Sequence, residues 1–214
     1  MTDTSRGRHG IVPRRLAERT RLGIAPLARG LARAGVGANA VTVFGAALTI
    51  AGGALIAMDR PLAALVVLLV GTFSDTLDGA IARATGGGTR AGAFLDSTAD
   101  RLADAAILGG TAALGFALGF GLLFWAGLLG LVGSSLVPYV RAKAESLGVS
   151  ATVGPAPREA RIVILLLGLA AWAFFGENEL YLIAVLIVAL LALITFVQRV
   201  AVTARALDAT KEGA

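Results

Sequence analysis

Long apolar stretches, separated by short polar or glycine-rich connections, dominate the chain from about residue 38 onward. About 20 consecutive apolar residues are needed to cross a bilayer as a helix. The run Gly86-Gly87-Gly88 ends the second stretch, and Gly119 marks a bend before the fourth. The pattern predicts an all-α integral membrane protein with six transmembrane helices, over residues 38–58, 62–84, 91–117, 120–146, 158–175 and 179–206.

A different pattern precedes the first apolar stretch. Over residues 13–33, arginines alternate with Leu, Ile and Ala at near-helical spacing. A helix with one basic and one apolar face is typical of the membrane interface, so we expect an N-terminal amphipathic interfacial helix here; a solvated basic leader is the alternative. Residues 1–12 are predicted to be a flexible leader. Since internal repeats and linkers are absent, residues 1–214 are interpreted as a single domain with a transmembrane core over 38–206.

Composition agrees with a membrane protein and excludes several chemistries. The 214 residues are 57% hydrophobic and only 15% charged, which is less charge than a soluble domain of this size carries. The chain has no cysteine, so disulfides, thiolate metal sites and a cysteine nucleophile are excluded. The single histidine, His9, lies in the arginine-rich leader. A histidine-based catalytic dyad is therefore not expected.

The net charge of +5 is distributed unevenly along the chain. Basic residues precede the first stretch, flank the second connection and follow the last stretch, whereas only Arg60 lies in a connection predicted to face outward. The positive-inside rule therefore places both termini in the cytoplasm, in agreement with an even number of spans. We expect a multi-pass plasma-membrane protein with a cytoplasmic active site. Nucleic-acid binding is not expected, because no aromatic or basic reading surface accompanies the charge.

Four carboxylates interrupt the second and third stretches. Asp75, Asp78, Asp96 and Asp100 belong to the pattern D-x-x-D-G-x-x-A-R-x8-G-x3-D-x3-D. An acidic side chain at membrane depth costs roughly 2.5–3.5 kcal/mol even on the lenient insertion scale. Four converging carboxylates need cations to hold them together, so the pattern predicts a metal site.

Helical geometry predicts which side chains share a face. Asp78 lies about 60° to one side of Asp75, at about 100° per residue. Gly79 lies about 40° to the other side, and Ala82 lies almost beneath Asp75. In the third stretch, Gly92 and the two aspartates that follow it are spaced by four residues and share one face. Because a short loop joins the two helices, we expect them to pack antiparallel and to bring all four carboxylates together.

The ligand types indicate the metal and the reaction. Oxygen ligands without His or Cys favour Mg²⁺ or Mn²⁺, and four carboxylates suit two ions that clamp the oxygens of a phosphoryl transfer. Arg83 and Arg90 are predicted at the rim, where a guanidinium pairs with phosphate. A diphosphate is the expected occupant. An ion carrier is the alternative from another class, but it leaves Gly79, Ala82 and Arg83 without a role.

The complete pattern from Asp75 to Asp100 resembles the signature of the CDP-alcohol phosphotransferase family, with every defined position filled. Residues 39–45 also resemble the start of that family's first span, and the resemblance covers about residues 20–205. The resemblance implies a transferase in which an acceptor hydroxyl attacks the lipid-bearing phosphorus and CMP leaves. It also implies a homodimer, because family members commonly form one.

The resemblance further implies roles for individual residues. The metal ligands would be Asp75, Asp78, Asp96 and Asp100. Asp100 would also be the general base that deprotonates the acceptor hydroxyl. The pocket for the CDP-linked lipid would be formed by Gly79, Ala82, Arg83, Thr89 and Gly92.

The signature leaves the acceptor alcohol open. A second basic group lies at the predicted cytoplasmic ends of the later stretches and consists of Arg141, Lys143, Arg158, Arg161 and Arg199. Each residue alone is typical of a positive-inside anchor. Together, near an anionic site, they predict an acceptor that itself carries phosphate.

Within the family, the stretches VPYVRAKAESLG, PREAR and FVQRV resemble actinobacterial phosphatidylinositol-phosphate synthases, although Arg141 and Lys143 stand in the reverse of the expected order. This resemblance implies transfer of a phosphatidyl group from CDP-diacylglycerol to inositol 1-phosphate. The alternative is phosphatidylglycerophosphate synthase, with glycerol 3-phosphate as acceptor, or another CDP-alcohol phosphotransferase. Asp104 extends the aspartate face by one turn and is expected to pair with Arg101 rather than with a polyol.

Overall fold

A computed structural model of the protein describes residues 14–176 and 178–212, and this part of the chain is helical without strands. The predicted leader, residues 1–12, lies outside the described residues. The helices are α1 (Arg14–Arg33), α2 (Ala38–Ala57), α3 (Pro61–Ala84), α4 (Arg90–Ala117), α5 (Gly121–Ser146), α6 (Arg158–Phe175) and α7 (Asn178–Glu212).

Local sequence accounts for several helix ends. Pro61 occupies the first position of α3, where its missing N–H costs nothing. The Thr89 hydroxyl caps α4 by accepting a hydrogen bond of 2.9 Å from the Gly92 amide. Gly176 ends α6 with a φ of 73°, a left-handed conformation that favours glycine. Each predicted apolar stretch corresponds to one helix, and only α7 extends clearly beyond its predicted end.

Four helices are long and apolar enough to cross a membrane: α2, α3, α5 and α7. The other two predicted spans, α4 and α6, are too rich in charged residues to be included among the described helices of this kind. The acidic residues of the motif interrupt α4, and α6 begins with Arg158-Glu159 and Arg161. The all-helical membrane fold is confirmed, while the number of six spans stays a prediction.

α2 is central to the part of the fold that carries the acidic motif. It packs against both α3 and α4, with glycines on both sides. A Cβ atom on Gly45 would lie 3.0 Å from Ser74 of α3, and one on Gly53 would overlap the backbone of Ala106 on α4. Helices approach this closely in membranes where small residues line the interface.

The expected direct packing of α3 on α4 is not what the described helices show. The close neighbours of α4 are α2 and α5, and those of α3 are α1, α2 and α6. The glycines of α2 explain the difference, because they let α2 lie tightly against both helices. α3 and α4 meet instead through their acidic side chains.

α1 is helical as predicted, and its C-terminal half packs against α3. Ala28 is buried beside Leu77 and Ile81, with Ile24 packed against the same cluster. In the larger apolar core, Tyr181 of α7 is fully buried. Its hydroxyl lies 2.6 Å from that of Thr111 on α4, which satisfies both buried polar groups.

Candidate metal and substrate site

Three aspartates of the motif converge between α3 and α4. One carboxylate oxygen from each of Asp75, Asp78 and Asp96 lies within 4.8 Å of the other two. Asp75 lies about 13 Å from the end of α3 and Asp96 about 9 Å from the start of α4, at 1.5 Å per residue. Asp78 is buried, whereas the other two are exposed. Three oxygen ligands at this spacing fit a hard divalent cation.

Sequence reasoning missed one contact to this group. The Thr42 hydroxyl of α2 donates a hydrogen bond of 2.5 Å to Asp78 Oδ2, and it also lies 3.1 Å from the Ala38 carbonyl oxygen. Hydrogen bonds of this kind orient the carboxylates that ligate metals. The sequence feature that could have indicated this contact is the stretch 39–45, which contains Thr42 and resembles the start of the first span in the CDP-alcohol phosphotransferase family.

The fourth aspartate of the motif is joined to the others by an arginine. Arg158 Nη1 lies 2.5 Å from Asp100 Oδ1 and 3.7 Å from Asp75 Oδ2. The Arg158 Nε atom donates to Asp104 Oδ1 at 2.9 Å. The expected pairing of Asp104 with Arg101 is therefore wrong, and Arg101 Nη2 lies 3.6 Å from Asp100 instead. The reason lies in the tertiary packing: α6 packs on α3, and this brings Arg158 to the Asp104 carboxylate.

The small residues of α3 leave space beside the carboxylates. A Cβ atom on Gly79 would meet only the Arg83 guanidinium, at 3.4 Å. Ala82 is half-buried one turn farther along, and Arg83 is exposed. The predicted pocket residues of α3 therefore lie side by side, with a cation above the glycine.

The start of α4 supplies the other predicted pocket residues. A Cβ atom on Gly92 would lie 3.1 Å from both Asn39 Oδ1 and Thr89 Oγ1. Thr89 also caps the helix, and Arg90 is exposed beside it. Asn39 belongs to the family-like stretch, but sequence reasoning did not assign it to the pocket.

The second basic group divides between two environments. Arg158 is joined to the aspartates, and Arg161 lies one turn farther along α6, buried to 5% exposure. Arg161 Nη1 donates to Ser134 Oγ at 3.1 Å, while its Nε has no hydrogen-bond partner within the described structure. Both arginines line one small cavity together with Asp104 and Ser134. The two arginines therefore share one face of α6.

The remaining basic residues lie farther from the carboxylates. Arg199 donates to the backbone oxygens of Val153 and Val137, both at 3.0 Å. Arg141 pairs with Glu145 at 2.8 Å on the surface of α5, and Lys143 is exposed near its end. Arg199 experiences repulsion from Arg141 and Arg161. Arg199, Arg141 and Arg161 therefore form a concentration of positive charge.

Two known proteins are similar in sequence to most of this chain. The chain is 41% identical over 172 residues to archaetidylinositol phosphate synthase of Pyrococcus horikoshii, covering 79% of this chain and 85% of that protein. It is 36% identical over 178 residues to phosphatidylinositol phosphate synthase of Mycobacterium marinum, covering 81% and 76%.

Two solved structures of a mycobacterial enzyme are similar to this chain in fold and in sequence. The crystal structure of Mycobacterium tuberculosis phosphatidylinositol phosphate synthase with CDP-DAG bound has a TM-score of 0.78 and 34% identity, covering 84% of this chain and 92% of that one. A second structure of that enzyme, in complex with manganese and citrate, has a TM-score of 0.77 and 34% identity, covering 84% and 88%. The CDP-alcohol phosphatidyltransferase profile matches residues 36–203. The chain is thus a member of the CDP-alcohol phosphatidyltransferase family.

Proposed function

We propose that this protein transfers a phosphatidyl group from CDP-diacylglycerol to a hydroxyl of inositol 1-phosphate, giving phosphatidylinositol phosphate and CMP. The observation that carries the proposal is the meeting of Asp75, Asp78 and Asp96 beside the small residues Gly79 and Ala82. A metal-binding carboxylate group next to room for a nucleotide fits a CDP-linked substrate.

The three clustered carboxylates would hold Mg²⁺ or Mn²⁺, with Asp100 bordering a second ion. When bound, the metal supplies charge neutralisation for the diphosphate and for the departing CMP. Arg83, above Gly79, would pair with a phosphate of the donor in fork geometry. The cytidine would occupy the space beside Gly79 and Ala82, closed on the α4 side by Gly92 and Thr89.

Asp100 would accept the proton of the acceptor hydroxyl. The hydroxyl oxygen then forms a bond to the phosphorus that carries diacylglycerol, and the bond from that phosphorus to the CMP oxygen breaks. The Arg158 guanidinium contacts Asp100 directly, so the proposed base lies next to a cation that can bind an acceptor phosphate. General base catalysis of this kind contributes about 10²- to 10⁴-fold.

The acceptor assignment rests on the basic residues and on the relatives. Arg158 and Arg161 lie on one face of α6, with the positive charges of Arg199 and Arg141 nearby. The names of the archaeal and mycobacterial relatives share inositol phosphate and differ in the lipid part. We therefore favour inositol 1-phosphate over glycerol 3-phosphate.

The membrane arrangement belongs to the same proposal. The carboxylates lie toward the end of α3 that carries Arg83, and α4 begins there with Arg90. Basic residues at this end favour the cytoplasmic side of the plasma membrane. In this arrangement α4 and α6 would also span the membrane, giving six spans, α1 would lie along the interface, and two copies would form a homodimer.

The decisive experiment is a competition between acceptors. Purified protein with CDP-diacylglycerol and Mg²⁺ should release CMP rapidly with inositol 1-phosphate and much more slowly with glycerol 3-phosphate. Asp78→Asn should abolish the release. Asp59→Asn is the matched control, because Asp59 is exposed in the turn between α2 and α3, at the opposite end of α3. A preference for glycerol 3-phosphate would transfer the assignment to phosphatidylglycerophosphate synthase.

A further inference from the structure

Asp104 is a buried carboxylate that the acidic motif does not include. It lies on α4 one turn beyond Asp100 and is only 7% exposed. It is also absent from the group of carboxylates close enough to share one ion. Burial of a carboxylate is unfavourable unless the group is paired. Its position therefore depends on its partner, Arg158.

The guanidinium of Arg158 is shared between two carboxylates. Its Nε edge donates to Asp104 at 2.9 Å, while Nη1 contacts Asp100 at 2.5 Å and Nη2 donates to the Asp100 backbone oxygen at 3.3 Å. The fork of an arginine is planar, so the bond at Nε fixes the direction of both Nη groups. Asp104 thus determines where Arg158 presents the rest of its charge.

Without Asp104, the guanidinium has other partners within reach. Asp75 Oδ2 already lies 3.7 Å from Nη1, so a released Arg158 can form a fork with Asp75 and Asp100. An arginine also has many rotamers, and ordering them is entropically costly. Both the new fork and the freedom to adopt other rotamers would make the Arg158 guanidinium less available to a substrate that must approach Asp100.

We propose that Asp104 is a positioning residue that holds Arg158 for the phosphorylated acceptor, and so controls the affinity for that substrate without touching it. This inference rests on the proposed function, because it takes the acceptor to carry a phosphate. It predicts an effect on one substrate only. The acceptor depends on Arg158, whereas the cytidine pocket is proposed around Gly79 and Gly92, and Gly92 lies about 18 Å from Asp104 along α4 at 1.5 Å per residue.

The first test separates the two substrates. Asp104→Ala should raise the KM for inositol 1-phosphate about tenfold or more, the size expected for supporting residues, and should leave the KM for CDP-diacylglycerol within about twofold. Asp104→Asn should restore most of the acceptor affinity, since its amide oxygen still accepts from Arg158 Nε. Equal increases in both KM values would overturn the positioning role.

The second test asks whether Asp104 acts through Arg158. Lysine at position 158 keeps the charge but lacks the Nε of the fork, so Arg158→Lys should itself raise the acceptor KM. In that background, Asp104→Ala should add less than about a twofold further increase, because coupled residues are not additive. If the acceptor KM of the double variant rose by the product of the two single-variant increases, the inference would be contradicted.

The matched control is Thr111→Val, which removes another buried polar group of α4 that contacts Tyr181 and not the arginine. It should lower the melting temperature and leave the ratio of the two KM values unchanged. If Asp104→Ala does not fold, Asp104→Ser serves in both tests. If the wild-type enzyme uses only glycerol 3-phosphate, the proposed function is wrong in its acceptor, and the same KM ratio measured with that substrate still tests Asp104.

Discussion

The Thr42 hydroxyl on α2 donates a 2.5 Å hydrogen bond to the Asp78 carboxylate on α3. Asp78 is buried, and a buried carboxylate needs such a partner; the same side chain belongs to the group formed with Asp75 and Asp96. The bond fixes the rotation of the carboxylate at a position where α2 and α3 pack closely. A helix without any ligand of its own thereby orients the proposed metal site.

Removing this hydroxyl should weaken metal binding. Thr42→Val keeps the shape of the side chain and deletes the bond to Asp78, and loss of such a supporting contact typically costs 10- to 100-fold in affinity. We expect the Kd for Mn²⁺, measured by electron paramagnetic resonance on the purified protein, to rise by roughly that factor. Thr42→Ser should restore tight binding.

Thr49→Val is the control for this experiment. Thr49 is also buried on α2, and its hydroxyl bonds the Gly45 carbonyl oxygen within its own helix. Its loss should leave the Kd for Mn²⁺ unchanged. If both valine variants weakened Mn²⁺ binding equally, the effect would come from helix packing and not from the Asp78 contact.

Asp100→Asn should separate catalysis from donor binding. The amide cannot accept the proton of the acceptor hydroxyl, so we expect kcat to fall by about 10²- to 10⁴-fold. The Asn oxygen can still accept from Arg158, and the binding of CDP-diacylglycerol, measured by calorimetry, should stay close to that of the wild type. Turnover at the wild-type rate would remove Asp100 as the base.

The helices were predictable because their signals are local. Apolar length defines the membrane segments, and the spacing of Asp75 and Asp78 places both on one face of a single helix. The convergence with Asp96 follows from the short connection between α3 and α4. Contacts across long sequence separations were not predictable: Thr42 reaches a residue 36 positions away, and Arg158 reaches an aspartate 54 positions away.

The same distinction explains the errors. The spacing of Asp104 and Arg101 on one helix favours their pairing, but the packing of α6 on α3 brings a competing cation, Arg158, to Asp104. Direct packing of α3 on α4 was inferred from their short loop. The glycines of α2, Gly45 and Gly53, allow α2 to approach both helices, and no local pattern indicates which neighbour a small residue will face.

A larger side chain at Gly79 should block the nucleotide without disturbing the fold. A Cβ atom there would meet only the flexible end of Arg83, at 3.4 Å, so Gly79→Val leaves helix packing intact. Filling the proposed cytidine space costs about 1–3 kcal/mol, and the KM for CDP-diacylglycerol should rise roughly tenfold or more. The Kd for Mn²⁺ should not change.

Gly109→Val is the matched variant, because Gly109 is also helical and a Cβ atom there meets nothing within 4 Å. It should leave the KM for CDP-diacylglycerol at the wild-type value. Equal KM values for the Gly79 and Gly109 variants would place the cytidine elsewhere.

Arg199 tests whether the positive charge that it forms with Arg141 and Arg161 binds the acceptor. Its guanidinium donates to the backbone oxygens of Val153 and Val137, so Arg199→Ala removes both a charge and two hydrogen bonds from a charged donor. A charge-assisted hydrogen bond is worth about 1.5–3 kcal/mol. We expect the KM for inositol 1-phosphate to rise roughly tenfold, the KM for CDP-diacylglycerol to stay unchanged, and the melting temperature to fall.

Arg205→Ala controls for the loss of a cation from the same helix, because Arg205 is exposed on α7. It should change neither KM. A lowered melting temperature for Arg199→Ala with an unchanged acceptor KM would assign Arg199 to holding the segment between α5 and α6. The acceptor phosphate would then depend on the other basic residues, above all on Arg158, whose guanidinium contacts the proposed base Asp100.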